Sequence, residues 1–142
     1  MTAMLQLRNC SKRLFEWTTT GMMLGIAATL FVSPHSISRS AFRLLLDVLP
    51  QEMIADLLFV FGVARVIALV ANGSIPIYGP IMRSACAAGG AVMWGQFGIA
   101  LIGQSSLQDH LSPGVTIYFF MTLGEMASCY RAASDGRRYR LR

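Results

Sequence analysis

Residues 53–72 read MIADLLFVFGVARVIALVAN. Between Leu57 and Ala71 the only charge is Arg65, and the apolar side chains Leu57, Leu58, Phe59, Val60, Phe61, Val63, Val66, Ile67, Leu69 and Val70 keep to no single stripe. A helix that is apolar all round lies either in a large core or in lipid. A chain of 142 residues has little room for such a core. About 20 residues cross a hydrocarbon layer of about 30 Å, and this segment is long enough. The arginine costs about 2.5–3.5 kcal/mol on insertion scales, and about ten Leu, Ile, Val and Phe residues return about 0.3–0.6 each. Insertion therefore survives the charge. Pro50 suits a helix start, and Asn72-Gly73 suits a stop.

Composition agrees. The chain is 54% hydrophobic and 13% charged, against about 25% charged for soluble domains. Three cysteines (Cys10, Cys86, Cys129) are too few and odd in number for a disulfide framework. Cys86 and Cys129 fall in apolar segments and read as small core residues. No internal repeat or low-complexity segment is visible, and the chain reads as one integral membrane domain over residues 1–142.

Outward from the central segment, residues 17–34 carry no charge and give a first span, with Pro34 as its close. Gly21 and Gly25, followed by Thr29, place small residues on one face, the pattern that lets membrane helices approach closely. A rival reading of this region is a signal peptide, with a basic lead and Ser36-Ile37-Ser38 as a small-residue cleavage site. Residues 38–49, SRSAFRLLLDVL, set Arg39, Arg43 and Asp47 on one helical face and Phe42, Leu45, Leu46 and Leu49 on the other. That predicts a short helix lying in the membrane interface.

Residues 72–83, NGSIPIYGPIMR, read as a loop. Residues 84–103 give a third span rich in small residues: Ala87, Ala91 and Gly95 recur every four positions, with Gly89 and Gly90 beside them. Such a helix is expected in the middle of a bundle, with Gln96 free to hydrogen-bond across helices. Ser112-Pro113 is a cap followed by a first-turn proline. It opens a fourth span over 113–130, with Gly136 as the expected end of any continuation. The expected fold is thus all-α: a polytopic bundle of four transmembrane helices plus a short interfacial amphipathic helix. Residues 1–16 and 131–142 are basic tails, the latter with Arg131, Arg137, Arg138, Arg140 and Arg142.

Four spans put both tails on one side. Nine lysines and arginines then sort with the tails and the second connector, two with the first connector and none with the third. The positive-inside rule places both termini in the cytoplasm. The second and fourth helices run in the same direction. Arg65 lies twelve residues after Met53, and Glu125 lies twelve after Pro113. At about 1.5 Å per residue they share a depth, and intramembrane charges pair toward the bundle interior. The expectation is an intramembrane Arg65–Glu125 ion pair with Gly89 and Gly90 at its level. It would lock the bundle or, on another reading, line a polar path.

No phosphate-binding loop, dinucleotide turn, His/Cys cluster or nucleophile motif is present. No enzyme activity, cofactor or metal is therefore expected. Asn9-Cys10-Ser11 and Asn72-Gly73-Ser74 match the glycosylation triplet but fall on the cytoplasmic side. The basic tail reads as attraction to anionic lipid rather than a nucleic-acid arm. The runs ARVIALVANGSIPIYGPIMRSA (64–85), SPGVTIYFF (112–120) and GEMASCYRAASDGRR (124–138) resemble small multi-span membrane proteins of tailed phages and prophages, many of them holin-like.

That resemblance implies a protein of the bacterial host's cytoplasmic membrane. It would self-associate through its small-residue faces and open lesions for host lysis. The alternatives are a non-pore phage membrane protein, such as an exclusion factor or a scaffold that binds other membrane proteins, and a small transporter or channel using Arg65 and Glu125. The expected partners are the lipid bilayer, further copies of the chain and other membrane proteins.

Overall fold

A computed structural model describes residues 13–33, 39–71, 78–108 and 112–140. The described residues form helices and short connecting turns, with no strand among them. There are five helices: α1 (Leu14–Val32), α2 (Arg39–Leu46), α3 (Gln51–Ala71), α4 (Tyr78–Gln108) and α5 (Pro113–Arg140). By length and composition, α3 and residues 78–106 of α4 are apolar enough to cross a membrane. At about 1.5 Å per residue they reach about 32 and 44 Å, against a hydrocarbon thickness of about 30 Å.

Local chemistry explains the helix ends. Ser112 caps α5: its hydroxyl oxygen accepts from Gly114 N–H at 3.3 Å and its carbonyl from Val115 N–H at 3.0 Å. Pro113 follows in the first turn, where its missing N–H has no intrahelical partner to lose. At the opposite end of α1 the Gln51 side-chain amide donates to the Leu30 and Ser33 carbonyls at 3.3 and 3.1 Å. Those carbonyls lie in the last turn, where a helix has no partner of its own for them. The same two bonds set the C-terminus of α1 against the N-terminus of α3, so the pair is antiparallel.

The helices associate as two pairs. α4 packs most extensively with α5, and α1 with α3; the pairs meet along a thinner seam, and α2 lies across α4. The α1–α3 approach is close because Gly62 has no side chain: a Cβ there would stand 2.6 Å from the Leu24 side chain. The apolar centre joins Met23, Ala27 and Leu30 of α1, Ile54, Ala55 and Leu58 of α3, and Trp94 and Phe97 of α4. Tyr118 of α5 stacks on Trp94 and Phe97, with ring centroids 5.8 and 5.5 Å away. Phe42 of α2 meets Phe97 edge-on at 5.8 Å.

Several expectations need correction. Residues 78–83 are not loop: α4 begins at Tyr78. Pro80 falls in its first turn, a position proline tolerates. Gly136 does not end α5, which runs to Arg140. A Cβ on Gly136 would sit 3.4 Å from Pro80 Cβ, an ordinary contact, so the helix passes through this glycine beside the start of α4. Among the described residues, a Cβ on Gly21 or Gly25 would meet nothing within 4 Å. The face of α1 that packs carries Glu16, Thr19, Thr20, Met23, Ala27 and Leu30 instead. Gln96 is exposed rather than bonded across helices. α2 buries the side expected of it, with Phe42, Leu45, Leu46 and Leu49 half-buried and Arg43 and Asp47 exposed. Its backbone is irregular at Phe42.

Candidate functional site

Arg65 is the third residue after Gly62 on the buried face of α3, and its side chain points into the seam between the helix pairs. Only 2% of it is exposed, and Glu125 of α5 is fully buried. The guanidinium grips the carboxylate with two bonds, Nη1 to Oε1 at 2.5 Å and Nη2 to Oε2 at 3.0 Å. This bidentate form is the strong one for an arginine–carboxylate pair. Nη2 also donates to Thr19 Oγ1 of α1 at 3.0 Å. The Thr19 hydroxyl in turn donates to the Glu16 carbonyl at 3.2 Å, so it serves as donor and acceptor at once.

Gly90 of α4 makes the space. A Cβ at that position would lie 2.5 Å from Arg65 Nη1 and 3.0 Å from Glu125 Cδ. Gly89 faces Phe61 instead. Ala87 is buried, Ala91 is half-buried, and Gly95 comes within 3.9 Å of Thr122 Oγ1. The Ala87–Ala91–Gly95 row thus borders α5 at its Gly95 end.

A second buried cluster lies one turn of α1 away, at the end where α1 and α4 begin. Arg83 Nε donates to both Glu16 carboxylate oxygens, at 3.0 and 2.8 Å, and Nη2 donates to Oε1 at 2.9 Å. Arg83 Nη1 reaches Asp135 Oδ2 of α5 at 3.3 Å. Glu16 and Arg83 are 4% and 7% exposed, whereas the Asp135 side chain is 52% exposed. Close by, the Ser84 hydroxyl lies 3.4 Å from Cys129 Sγ. Cys86 and Cys129 are half-buried and free.

The sequence reading sets Glu16 at the end of the basic lead and Arg83 at the end of the second connector, and pairs neither. The signal was available: each sits at the start of an apolar segment, and the two starts lie on the same side. Depth-matching of the kind applied to Arg65 and Glu125 aligns them too.

Both clusters bridge the helix pairs. Arg65–Glu125 joins α3 to α5, Thr19–Arg65 joins α1 to α3, and Glu16–Arg83 joins α1 to α4. Both oxygens of Glu125 and both of Glu16 are occupied by guanidinium donors. The arrangement can hold helices in register and can desolvate charge. Among the described residues no group of three His, Cys, Asp or Glu side chains is placed to hold a metal ion.

Arg131 and Arg137 are exposed on the last turns of α5, and Arg131 Nε donates to the Ala127 carbonyl at 3.3 Å. Arg138 and Arg140 belong to the same helix by backbone. Arg142 lies outside the described residues, as do Cys10, the two histidines, both glycosylation triplets and residues 1–12. Comparison with protein-family models, curated proteins and solved structures finds no match.

Proposed function

We propose that the chain is a phage-type integral membrane protein. In this reading it crosses the cytoplasmic membrane of a bacterial host four times, with both termini in the cytoplasm, and acts as a rigid, non-enzymatic module that contacts other membrane proteins. One observation supports the membrane part of this reading: the buried charges are paired inside the chain, while many outward side chains are apolar. Leu57, Val60, Val63 and Ile67 on α3, Val92 and Ile99 on α4, and Ile117, Phe119, Phe120 and Leu123 on α5 are all exposed. Apolar exposure on this scale suits lipid rather than water.

Trp17, Tyr78 and Tyr130 are also exposed, and all three sit at the end where Arg83 meets Glu16 and Asp135. That is the placement of an interfacial aromatic belt. Within the apolar parts of α1 and α5, the polar residues Glu16, Thr19, Thr20, Glu125 and Ser128 face inward. These cost little in lipid once the bundle has formed, which supports four spans rather than two. A closed pair at Arg65–Glu125 argues against a transport path through these residues.

A holin is the second reading. It is favoured by the outward-facing Gly21 and Gly25, which leave a small-residue face open to another copy.

Inducible expression in a bacterial host, with membrane potential and growth followed together, tests both readings. Intact potential and steady growth at high membrane levels are expected. Sudden depolarisation after a fixed delay, with lysis only when a cytoplasmic lytic enzyme is co-expressed, overturns the module and establishes the holin. Reporter fusions at both ends check the cytoplasmic termini.

A further inference from the structure

Beneath α2, between α3 and the second half of α4, lies an open groove of about 480 Å³. Leu45 and Leu49 roof it, Leu57 forms one wall, and Val92, Gln96 and Ile99 form the other. Leu57, Val92 and Ile99 are more than half exposed, so the groove opens sideways along the apolar face of the bundle. Its volume and apolar lining with one polar group are those of a small-molecule site.

The polar groups around it fit one chemistry. Arg43, two residues before Leu45 on α2, has a side chain 73% exposed and only a 4.0 Å contact with Asp47. Gln96 is exposed and makes no hydrogen bond to the described residues. It neighbours Phe97, whose ring meets Phe42 of α2, so its carboxamide lies at the depth of the interfacial helix. A tail-sized apolar slot, a hydrogen-bond donor just inside the interface and a cation at the rim match the acyl chain, glycerol ester and phosphate of a phospholipid.

We propose that this groove binds one phospholipid. A tail would lie under α2, Gln96 would donate to an ester carbonyl, and Arg43 would face the phosphate. The inference rests on the membrane reading, which alkaline carbonate extraction checks separately.

The test is native mass spectrometry of the full chain in detergent with added phosphatidylglycerol. One lipid retained per chain is expected. Val92→Trp and Ile99→Trp fill the groove from exposed positions, and each is expected to reduce retention at least fivefold. Ile117→Trp, equally exposed but outside the groove, is expected to leave it unchanged. Arg43→Gln is expected to weaken phosphatidylglycerol about fivefold while leaving diacylglycerol unaffected.

Equal retention by the wild type and both tryptophan variants overturns the site. So does a dimer whose second copy cross-links to the groove and excludes lipid. A chain that resists carbonate yet retains no lipid overturns the site alone; a chain that carbonate releases overturns the membrane reading as well.

Discussion

Gly90 and Arg65 are best understood together. Most side chains at position 90 would occupy the volume of the guanidinium, so the ion pair depends on a residue that makes no bond. Gly90→Ala is expected to destabilise the bundle by about 1–3 kcal/mol, the usual cost of overpacking. Gly21→Ala, which meets nothing within 4 Å, is expected to be neutral or stabilising by up to about 1 kcal/mol. Detergent-titrated unfolding followed by circular dichroism ranks the two.

The pair itself makes a sharper prediction. Glu125→Gln leaves Arg65 buried without its counter-charge and is expected to cost about 3–5 kcal/mol. Replacing both partners with methionine removes the charge altogether and is expected to be milder than either single change. A double-mutant cycle in the same unfolding assay reads the coupling, and simple additivity would contradict it.

At the scale of the helices, apolar packing and ion pairing divide the labour. Interdigitated side chains join α4 to α5 and α1 to α3, whereas Glu16–Arg83 and Arg65–Glu125 both cross the thinner seam. The seam's members differ in burial, which separates their expected costs. Glu16→Gln loosens a buried pair and is expected to cost about 3–5 kcal/mol. Asp135→Asn removes a single contact from a half-exposed carboxylate and is expected to cost less than about 1 kcal/mol.

The all-helical class and the two most apolar helices were legible in the sequence, because uninterrupted apolar runs such as 57–64 leave few other interpretations. Arg65 and Glu125 could be matched because both lie twelve residues into segments running the same way. The inner faces of α1 and α4 were less legible. The Gly21–Gly25 spacing looks like a packing face whether it meets a neighbour or lipid, and only the partner helix decides which. The start of α4 was hidden by Gly79-Pro80, since the same dipeptide can open a turn or a helix's first turn.

For the whole molecule, the distribution of polarity departs from that of a soluble domain: charge is buried in pairs while large apolar side chains are widely exposed. Two arginine–carboxylate clusters are buried beside an apolar centre that includes Leu58, Trp94 and Phe97, while many other large aliphatic and aromatic side chains are exposed. In the membrane reading proposed above, neither α3 nor α5 is complete in lipid by itself. α3 exposes a guanidinium until α5 arrives, and α5 exposes a carboxylate until α3 does.

This interdependence has a consequence in time. Glu125 lies 60 residues after Arg65, and chains are synthesised at about 5–20 residues per second, so α3 waits about 3–12 s for its counter-ion. Thr19, already synthesised, is the one described side chain besides Glu125 that bonds the guanidinium, and it offers a dipole rather than a charge. A chain truncated before Pro113 never ends that wait. It is expected to reach several-fold lower steady-state levels than the full chain in a pulse–chase, with Arg65→Leu restoring the truncated form. In the membrane reading proposed above, the ion pair would double as a completion signal: a nascent chain would pass inspection only once its last helix has been made.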